Sequence, residues 1–361
     1  MHNIDLHNLR VLHVIPSLGP GGAERQLSLL APALVDKGSE CAVIFSCEGP
    51  NLKRLTDSGV TLCELPARGS YDIRRFFDIL SFAQRWKPDI IQTWLTQMDI
   101  IGGAVAHALK TPHILSERSS HLAYPPNWKN KVRVLVGRHA NGIVANSELG
   151  AKYWRLMGAT CPIEVIPNAL IPHTTDKVPN ENLPLGPFIM FAGRLSYEKN
   201  LPNLIAGISQ AIGAQKNLYA LMFGEGPLRD DVEKLIAATP NGDRIQLHGY
   251  THSLGAWMNH ASVIVAVSDF EGHPNVVIEG AAAGCPLVLS DIPAHREIFT
   301  DTEVKFVNGH DPVDIGKGIL AVIDRNIDVD QMAARAKRSV NACQVEAQID
   351  KYLKIYRNTI I

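Results

Sequence analysis

Two glutamates, Glu271 and Glu279, stand eight residues apart on either side of a turn that is suited to binding a ligand. They belong to the stretch DFEGHPNVVIEGAAAGCPLVLSD at residues 269–291. The apolar run at residues 262–267 predicts a buried strand before the turn, and the following helix is expected to stop at Gly284. Carboxylates at this place repel phosphate and accept hydrogen bonds from hydroxyl groups instead. The two side chains therefore predict a ligand that carries sugar hydroxyls.

The turn between the glutamates contains residue types that open a helix, namely Gly272, His273, Pro274 and Asn275. A second buried strand, predicted at residues 286–290, completes a strand–turn–helix–strand unit. Open parallel sheets bind ligands outside the carboxyl ends of their strands, and the N–H groups of a helix N-terminus there suit a phosphate. The turn thus predicts a diphosphate next to the sugar hydroxyls.

Two cations, Arg194 and Lys199, follow another predicted strand at residues 188–192. Arginine offers a planar fork that can hold a phosphate at two points, and lysine offers a point charge. Ordinary surface charge is the alternative interpretation. Because the two glutamates follow downstream in a similar strand-end position, the cations are predicted to contact the same diphosphate.

The length and composition predict two globular domains and no membrane span. At 361 residues the chain is too long for one ordinary domain, and 46% apolar residues suffice for two cores. The formal net charge of −1 argues against nucleic acid as a partner. No stretch approaches the ~20 apolar residues of a membrane span, and no signal peptide is evident. A cytoplasmic protein with reduced cysteines is therefore expected.

Short apolar runs alternate with helical segments, which predicts a parallel, doubly wound sheet in each half. The strands predicted in the first half are residues 11–15, 41–46, 60–65, 89–93, 113–116, 142–145 and 163–166. A turn with Gly21 and Gly22 follows the first strand; it could approach an anion, and a plain tight turn is the alternative. The expected domains are residues 1–172 and 188–344, joined by a Pro-rich linker at 173–187.

The spacing of Glu271 and Glu279 resembles the E-x7-E motif of retaining glycosyltransferases of family 4, or glycosyl transferases group 1, which have the GT-B fold. The resemblance covers nearly the whole chain and is strongest at residues 188–291. It implies an α/β architecture of two Rossmann-like, doubly wound parallel-sheet domains facing a cleft, with the acceptor in the first domain and the donor in the second. It also implies that a terminal helix, residues 345–361, crosses back onto the first domain.

The implied reaction transfers a sugar from a nucleotide-diphospho-sugar to a glycan or to a polyprenyl- or other lipid-linked acceptor. A UDP-sugar is the favoured donor and a GDP-sugar is the alternative. Family members of this outline often act in the biosynthesis of cell-surface polysaccharides or glycolipids. The resemblance therefore predicts the same setting for this chain.

The resemblance also assigns roles to individual residues. The G-R-x-x-x-x-K match at Gly193, Arg194 and Lys199 implies contacts with the diphosphate. Glu279 would accept hydrogen bonds from the ribose, and Glu271 would hold sugar hydroxyls. The catalytic candidates are Glu271, Arg194, Lys199 and Arg118. The donor-binding candidates are Gly22, Gly193, Glu225, Gly249, Tyr250, Gly272, His273, Pro274, Asn275, Val276, Val277 and Glu279.

Two of these candidates keep an alternative interpretation. Arg118 lies where many family members have a histidine near the reacting sugar, and His121 follows slightly later. Arg118 could bind the donor phosphate or an anionic acceptor, or it could form a loop ion pair. Tyr250 could stack on the base or lie at the solvent edge.

Two segments, residues 74–87 and 128–138, combine apolar and aromatic residues with basic ones. A basic amphipathic helix can lie on anionic lipid. An ordinary surface helix with its apolar stripe in the core is the alternative. Peripheral contact with the inner face of a membrane is therefore an expectation that the sequence leaves open.

No metal or other cofactor is expected. The Asp328-x-Asp330 pair lies far beyond the nucleotide turns and just before a predicted helix, so it is expected to cap that helix. The diphosphate charge would instead be neutralised by Arg194, Lys199 and helix N–H groups.

Two other functions fit the same architecture. One is a sugar-nucleotide 2-epimerase, and the other is a non-catalytic nucleotide-sugar-binding protein. A dinucleotide dehydrogenase is disfavoured because the chain lacks a G-x-G-x-x-G turn with an acid ~20 residues further on.

Overall fold

A computed structural model describes residues 9–66, 68–69, 72–120, 122, 124–170, 183–251 and 253–360. Contacts divide these residues into two compact units. The first unit contains the described residues up to Ala169 together with those from Cys343 onwards. The second contains the described residues from Leu170 to Ala342.

The first unit is a parallel sheet of seven strands among the described residues, in the order β3-β2-β1-β4-β5-β6-β7. Its strands are β1 (Arg10–Val14), β2 (Glu40–Phe45), β3 (Thr61–Glu64), β4 (Ile90–Trp94), β5 (His113–Glu117), β6 (Gly142–Ala145) and β7 (Ile163–Val165). Its helices up to that point are α1 (Gly22–Asp36), α2 (Leu52–Leu55), α3 (Arg74–Trp86), α4 (Leu95–Leu109), α5 (Trp128–Arg138) and α6 (Glu148–Leu156).

The second unit is a parallel sheet of six strands among the described residues, in the order β10-β9-β8-β11-β12-β13. The strands are β8 (Phe188–Ala192), β9 (Tyr219–Phe223), β10 (Ile245–Gly249), β11 (Val263–Ala266), β12 (Leu287–Ser290) and β13 (Lys305–Val307). The helices are α7 (Leu201–Ala214), α8 (Arg229–Ala238), α9 (Leu254–Met258), α10 (Asn275–Ala283), α11 (Pro293–Arg296), α12 (Pro312–Ile323) and α13 (Val329–Ser339). Short 3₁₀ turns occur at Tyr197–Lys199, Gly242–Arg244 and Asn341–Cys343.

The central strands of both sheets are buried on both faces, because helices cover each side. This explains why they appear in the sequence as continuous apolar runs rather than as alternating patterns. In the first sheet β1 pairs in parallel with β2 and β4, with Val11 opposite Cys41 and Ile90. In the second sheet β8 pairs in parallel with β9 and β11, with Ile189 opposite Ala220 and Val263.

The last helix, α14 (Val345–Ile360), belongs to the first unit and packs against α1. Its apolar face joins the core under the first sheet through Ile349, Leu353, Ile355 and Tyr356. Tyr356 is fully buried, and its hydroxyl donates a hydrogen bond to the Gln92 side chain on β4. The helix thus completes a core that the earlier part of the chain leaves uncovered.

The doubly wound α/β architecture predicted from the alternating pattern is confirmed. One strand was not predicted, namely β13, which lies after Asp291. Only three residues form this edge strand, too few for a recognisable apolar run. The predicted linker lies largely outside the described residues, since 171–182 are not among them. Within the described residues, no helix combines the length and apolar character that a membrane crossing needs.

Candidate functional site

The loops that follow β8, β9 and β10 are interlocked by backbone hydrogen bonds. The Leu195 N–H donates to the Glu225 carbonyl at 3.0 Å, and the Gly224 N–H donates to the Gly249 carbonyl at 2.8 Å. Gly224 has a φ of 142°, and a Cβ at this position would lie 1.8 Å from the Gly193 carbonyl oxygen. Glycine is therefore required here, because no side chain fits between the two loops.

Lys199 and Glu271 form an ion pair at the carboxyl edge of this sheet. The Lys199 Nζ lies 2.5 Å from Glu271 Oε1, and the same oxygen accepts a hydrogen bond from Ser268 Oγ at 2.8 Å. The two loops also join through the backbone, where the Asp269 N–H donates to the Glu198 carbonyl at 2.8 Å. The side chains of Lys199 and Glu271 remain 18% and 14% exposed, so a ligand can reach the pair.

The electrostatics keep this pair charged. Burial raises the pKa of the Glu271 carboxyl, but the charge and hydrogen bond of Lys199 and the hydrogen bond from Ser268 together outweigh burial, so the pKa lies below its usual value. A carboxylate and an ammonium thus stand side by side at neutral pH. The first suits sugar hydroxyls and the second suits phosphate oxygens.

A fully buried histidine, His295, is linked to the ion pair through two serines. Its Nδ1 donates to the Ser290 carbonyl at 2.8 Å, and Ser290 Oγ donates to the Ser268 carbonyl at 2.7 Å. Since Ser268 Oγ bonds to Glu271, a continuous series of contacts runs from His295 to the carboxylate. Burial lowers the pKa of His295, which keeps the ring neutral. Its Nε2 is buried and has no hydrogen-bond partner in the part of the chain that the structure describes.

These three supporting residues, His295, Ser268 and Ser290, were not predicted from the sequence. One signal was present in the sequence: each serine directly follows or ends a predicted buried strand, and β11 and β12 are neighbours in the sheet. Polar residues at the ends of adjacent parallel strands meet at one edge. The histidine gave no such signal, because it lies in the short helix α11 that no pattern predicted.

Helix α10 begins beside this pair and has no side-chain cap at its N-terminus, where Pro274 occupies the capping position. Its first helical hydrogen bond runs from the Ile278 N–H to the Pro274 carbonyl at 3.1 Å. The backbone N–H groups of the first turn therefore give this end a partial positive charge. Glu279 lies just beyond the first turn and is buried. The helix ends, as predicted, at Gly284, whose φ of 79° terminates it.

The other donor-binding candidates lie at the same carboxyl edge, in different environments. Arg194 is exposed, and its guanidinium forms no ion pair or hydrogen bond with the described residues. Glu225 instead pairs with Arg229 at 2.6 Å. Tyr250 is 48% exposed at the end of β10, and Gly249 before it has a φ of 69°. Gly272 and His273 lie in the loop that leads into α10.

Gly22 and Arg118 belong to the first unit, so the structure describes them separately from the residues above. Gly22 begins α1, and the Glu24 side chain folds back over the start of this helix: a Cβ on Gly21 would lie 2.2 Å from its Oε2. Arg118 follows β5, and it donates to Asn168 Oδ1 at 3.2 Å. His121 lies outside the described residues.

One basic residue of segment 128–138 does not contribute to the positive surface predicted there, because the Arg133 side chain is buried in the core. Its guanidinium lies 2.7 Å from Asp99 and 3.0 Å from Glu117, both fully buried. Trp154 Nε1 also donates to Glu117, at 2.9 Å. A buried guanidinium needs such carboxylates, because an unpaired charge in the core is very costly. Burial raises the pKa of Asp99 to about 6. In the other basic segment, Arg75 is likewise buried.

Asp328 of the Asp328-x-Asp330 pair caps α13, as predicted. Asp328 Oδ1 accepts from the Gln331 N–H at 3.2 Å, and Asp330 pairs with Arg325. Among the described residues, no group of three or more His, Cys, Asp or Glu side chains is placed to hold a metal ion.

Solved structures share this two-unit architecture over almost the whole chain. HepE of Anabaena, solved in complex with UDP and glucose, has a TM-score of 0.85 and 15% identity, over 97% of this chain and 100% of that one. Two family models match the sequence: glycosyltransferase family 4 at residues 20–172 and glycosyl transferases group 1 at residues 186–325. The chain belongs to glycosyltransferase family 4, with the GT-B fold.

Family 4 relatives of this chain include enzymes of bacterial glycan synthesis. The lipopolysaccharide core biosynthesis glycosyltransferase LpsD of Rhizobium meliloti is 24% identical over 93% of this chain and 95% of its own length. An α-1,4-N-acetyl-D-galactosaminyltransferase of Campylobacter jejuni, named for an acceptor linked to undecaprenol through a diphosphate, is 24% identical over 96% of this chain and 98% of its own length.

Proposed function

We propose that this family 4 glycosyltransferase moves a sugar from a nucleotide-diphospho-sugar to a lipid-linked glycan acceptor, with retention of configuration and without a metal ion. The observation that carries the proposal is the accessible Lys199–Glu271 pair beside the uncapped start of α10. A diphosphate and a sugar require opposite partners at adjacent places, and this arrangement offers both. A GT-B-fold 2-epimerase and a non-catalytic sugar-nucleotide-binding protein are the alternatives.

The donor's diphosphate would be held by Lys199, by the exposed Arg194 and by the first-turn N–H groups of α10, including those of Val276 and Val277. Negative charge develops on the diphosphate as the sugar bond breaks, and preorganised positive groups stabilise it. Glu279 would accept hydrogen bonds from the ribose. Because these groups supply the neutralising charge, no divalent ion is needed for the step.

Retention of configuration is proposed from the likeness of the Glu271 and Glu279 spacing to the E-x7-E motif of retaining family 4 enzymes; the open question is which group attacks the sugar. Retaining glycosidases use a carboxylate that attacks the sugar. Glu271 is instead held by Lys199 and Ser268 on one of its oxygens. Attack of the acceptor on the same face that the diphosphate leaves, with the leaving phosphate taking the acceptor proton, fits this arrangement better. Glu271 would then bind sugar hydroxyls.

Relatives support the choice of substrates. HepE was solved with UDP, which favours a UDP-sugar over a GDP-sugar. The Rhizobium relative acts in lipopolysaccharide core synthesis, and the Campylobacter relative uses a diphospho-undecaprenol acceptor, which favours a lipid-linked glycan of a cell-surface pathway. Synthesis of this kind would take place at the cytoplasmic face of a membrane.

Peripheral membrane contact is proposed through α5 and α3. On α5, Trp128 and Leu135 are 58% and 57% exposed, and on α3, Phe77 is 59% exposed. Exposed lysines and arginines flank them, as expected for a helix lying on anionic lipid. Flotation with vesicles containing anionic lipid tests this contact. Trp128→Ser is expected to weaken it, whereas Leu156→Ser, an exposed leucine on α6, should leave it unchanged; equal binding by both variants would remove the assignment.

The donor site is tested by thermal shift and turnover with UDP-, GDP- and ADP-sugars, with and without EDTA. A donor that binds only the folded protein raises Tm. Lys199→Ala should remove the shift and lower turnover by at least about 100-fold. Lys234→Ala, an exposed lysine on α8, serves as the matched control. Normal donor binding by Lys199→Ala, or loss of activity with EDTA, would contradict the proposal. Product analysis without an acceptor distinguishes the epimerase, and binding without turnover identifies the non-catalytic alternative.

A further inference from the structure

The short turn that carries Lys199 ends at Asn200, a buried residue. Asn200 has a φ of 50°, in the left-handed region that favours glycine and asparagine. Its N–H donates to the Tyr197 carbonyl at 3.0 Å and closes the turn, and its carbonyl accepts from the Leu204 N–H at 3.1 Å in the first turn of α7. The backbone at Asn200 therefore determines where Lys199 stands relative to the sheet.

The side chain of Asn200 links two loops that are 109 residues apart along the chain. Its Nδ2 donates to the Gly309 carbonyl at 2.7 Å, and its Oδ1 accepts from Asn203 Nδ2 at 2.8 Å. A buried carboxamide is costly unless its two ends are hydrogen-bonded, and here both are. Glycine would serve the left-handed backbone equally well, so the carboxamide has a separate role. It fastens the turn that carries Lys199 to the loop after β13.

The loop after β13, residues 308–311, is held by hydrogen bonds of its own. The Asn308 N–H donates to Asp314 Oδ2 at 2.7 Å, and Asn308 Oδ1 accepts from the His310 N–H at 3.0 Å. The last residue of the loop, Asp311, caps the N-terminus of α12 with its side chain. The loop therefore presents a carbonyl group whose position is fixed before any ligand binds.

Gly309 connects this loop to the residues that hold Glu271. A Cβ on Gly309 would lie 3.0 Å from the Ser290 Cβ, so the loop packs directly on the end of β12. Ser290 Oγ donates to the Ser268 carbonyl, and Ser268 Oγ donates to Glu271. The strand ends that hold the carboxylate through two serines thus also support the loop to which Asn200 binds.

The same loop also contacts the chain that follows β11. The His310 Nε2 lies 3.5 Å from Asp269 Oδ1, and the Asp269 N–H donates to the Glu198 carbonyl at 2.8 Å. The segments after β8, β11 and β13 therefore contact one another in pairs. Asn200 contributes a buried side-chain hydrogen bond to this arrangement.

We propose that Asn200 is a positioning residue for the donor's diphosphate: by binding the loop after β13, its carboxamide fixes Lys199 beside Glu271. The inference rests on the proposed function, in which Lys199 binds the diphosphate. A lysine side chain is long and flexible, so its ammonium is preorganised only where the backbone beneath it is fixed. Strand β13, which the sequence did not predict, then has a role in the site, because the loop that follows it presents the Gly309 carbonyl.

Asn200→Gly tests this role, because glycine retains the left-handed backbone and removes the carboxamide. Turnover of the nucleotide-sugar donor is expected to fall at least about tenfold. Asn241→Gly is the matched control. Asn241 has a φ of 60°, and its Nδ2 donates to the Ser209 carbonyl at 3.4 Å, but it precedes β10 and so lies at the opposite edge of the sheet. This variant gains the same backbone freedom and should keep wild-type turnover; Tm is measured for both.

Repeating the substitution in a Lys199→Ala background separates positioning from a merely structural role. Without the ammonium there is nothing to position, so Asn200→Gly should change the remaining turnover by less than about twofold. An equal loss with and without Lys199 overturns the proposal, as does wild-type turnover in Asn200→Gly. Should Asn200→Gly fail to fold, Asn203→Ala decides, because it removes the donor that orients the carboxamide; we expect a loss of about threefold with Lys199 and none without it.

Failure of the proposed function has a different result. Lys199→Ala would then bind and turn over the donor as the wild type does, whatever the Asn200 variants do. If instead Lys199→Ala is impaired and Asn200→Gly is normal, Lys199 binds the diphosphate without help from Asn200.

Discussion

Lys199 and Glu271 are separated by 72 residues along the chain. Their contact brings the cation predicted to bind phosphate next to the carboxylate predicted to bind sugar hydroxyls. In the unliganded protein each neutralises the other, so neither charge is left uncompensated in a partly buried position. A diphosphate that binds Lys199 would share the lysine's ammonium group with Glu271. The hydrogen bond from Ser268 then keeps the carboxylate oriented, and its second oxygen is available to the sugar.

Substitution of His295 tests whether the contacts beneath the pair position it. His295→Phe keeps the ring volume but removes the donor to the Ser290 carbonyl, so we expect kcat to fall about tenfold, roughly 1.4 kcal/mol. His295→Asn can restore a donor near the Nδ1 position and should recover most of the activity. Kinetics and Tm are measured together for both variants. If the two variants lose activity in proportion to their loss of Tm, His295 has only a packing role.

At the scale of residues, the sequence placed Glu271 and Lys199 at strand ends, but it did not predict that their side chains contact each other. Glu271, Lys199 and the α10 turn follow recognisable strand ends, so their positions were available from pattern alone. The pairing of Lys199 with Glu271 was not, because it depends on β8 and β11 being neighbours in the sheet. The burial of Arg133 was not predicted either, because its carboxylate partners are 16 and 34 residues away along the chain.

At the scale of elements, the site depends on loops that touch backbone to backbone. The chain after β8 approaches the chain after β9 so closely that Gly224 and Gly226 leave no room for a side chain. This contact places the segment that carries Arg194 and Lys199 over the end of the sheet. Patterns of apolar residues predict strands and helices, but they carry no information on such close approaches of loops.

Gly224→Ala is expected to separate these loops. The added Cβ would overlap the Gly193 carbonyl oxygen, and alanine at a φ of 142° is itself strained, so we expect a loss of about 3 kcal/mol in unfolding free energy together with weaker UDP binding. Urea unfolding and a UDP titration measure the two effects. Gly69→Ala is the control, because a Cβ there meets none of the described residues within 4 Å. Wild-type stability in Gly224→Ala would show that the loops adjust without cost.

At the scale of the whole molecule, buried histidines link stability to pH. Burial lowers the pKa of His13 to about 3, whereas a histidine in an unfolded chain titrates near ~6.5. Between these values the unfolded state binds the proton and the folded state does not. The unfolding free energy should therefore decrease as the pH falls below about 6.5, by about 1.4 kcal/mol per pH unit for this residue.

In the wild type, the Trp94 Nε1 donates to His13 Nδ1 at 3.3 Å. His13→Asn removes the titrating group and leaves an acceptor for this donor. Urea unfolding of both proteins from pH 7 to pH 4 measures the difference in slope. The wild type should lose stability more steeply than the variant over this range. Parallel slopes would mean that His13 takes up a proton in the folded protein as readily as in the unfolded chain.

Helix α14 has a consequence for how the protein is made. The helix supplies Tyr356 to the core of the first unit and Tyr352 to the hydroxyl contact with Arg118. On the ribosome, the first seven strands emerge long before this helix, and the whole second unit is translated in between. Until then, the apolar groove that α14 covers stays exposed in the nascent first unit. Folding of this unit can therefore finish only after the helix has been translated. A chaperone that shields this groove during synthesis would be displaced from it by the protein's own last helix.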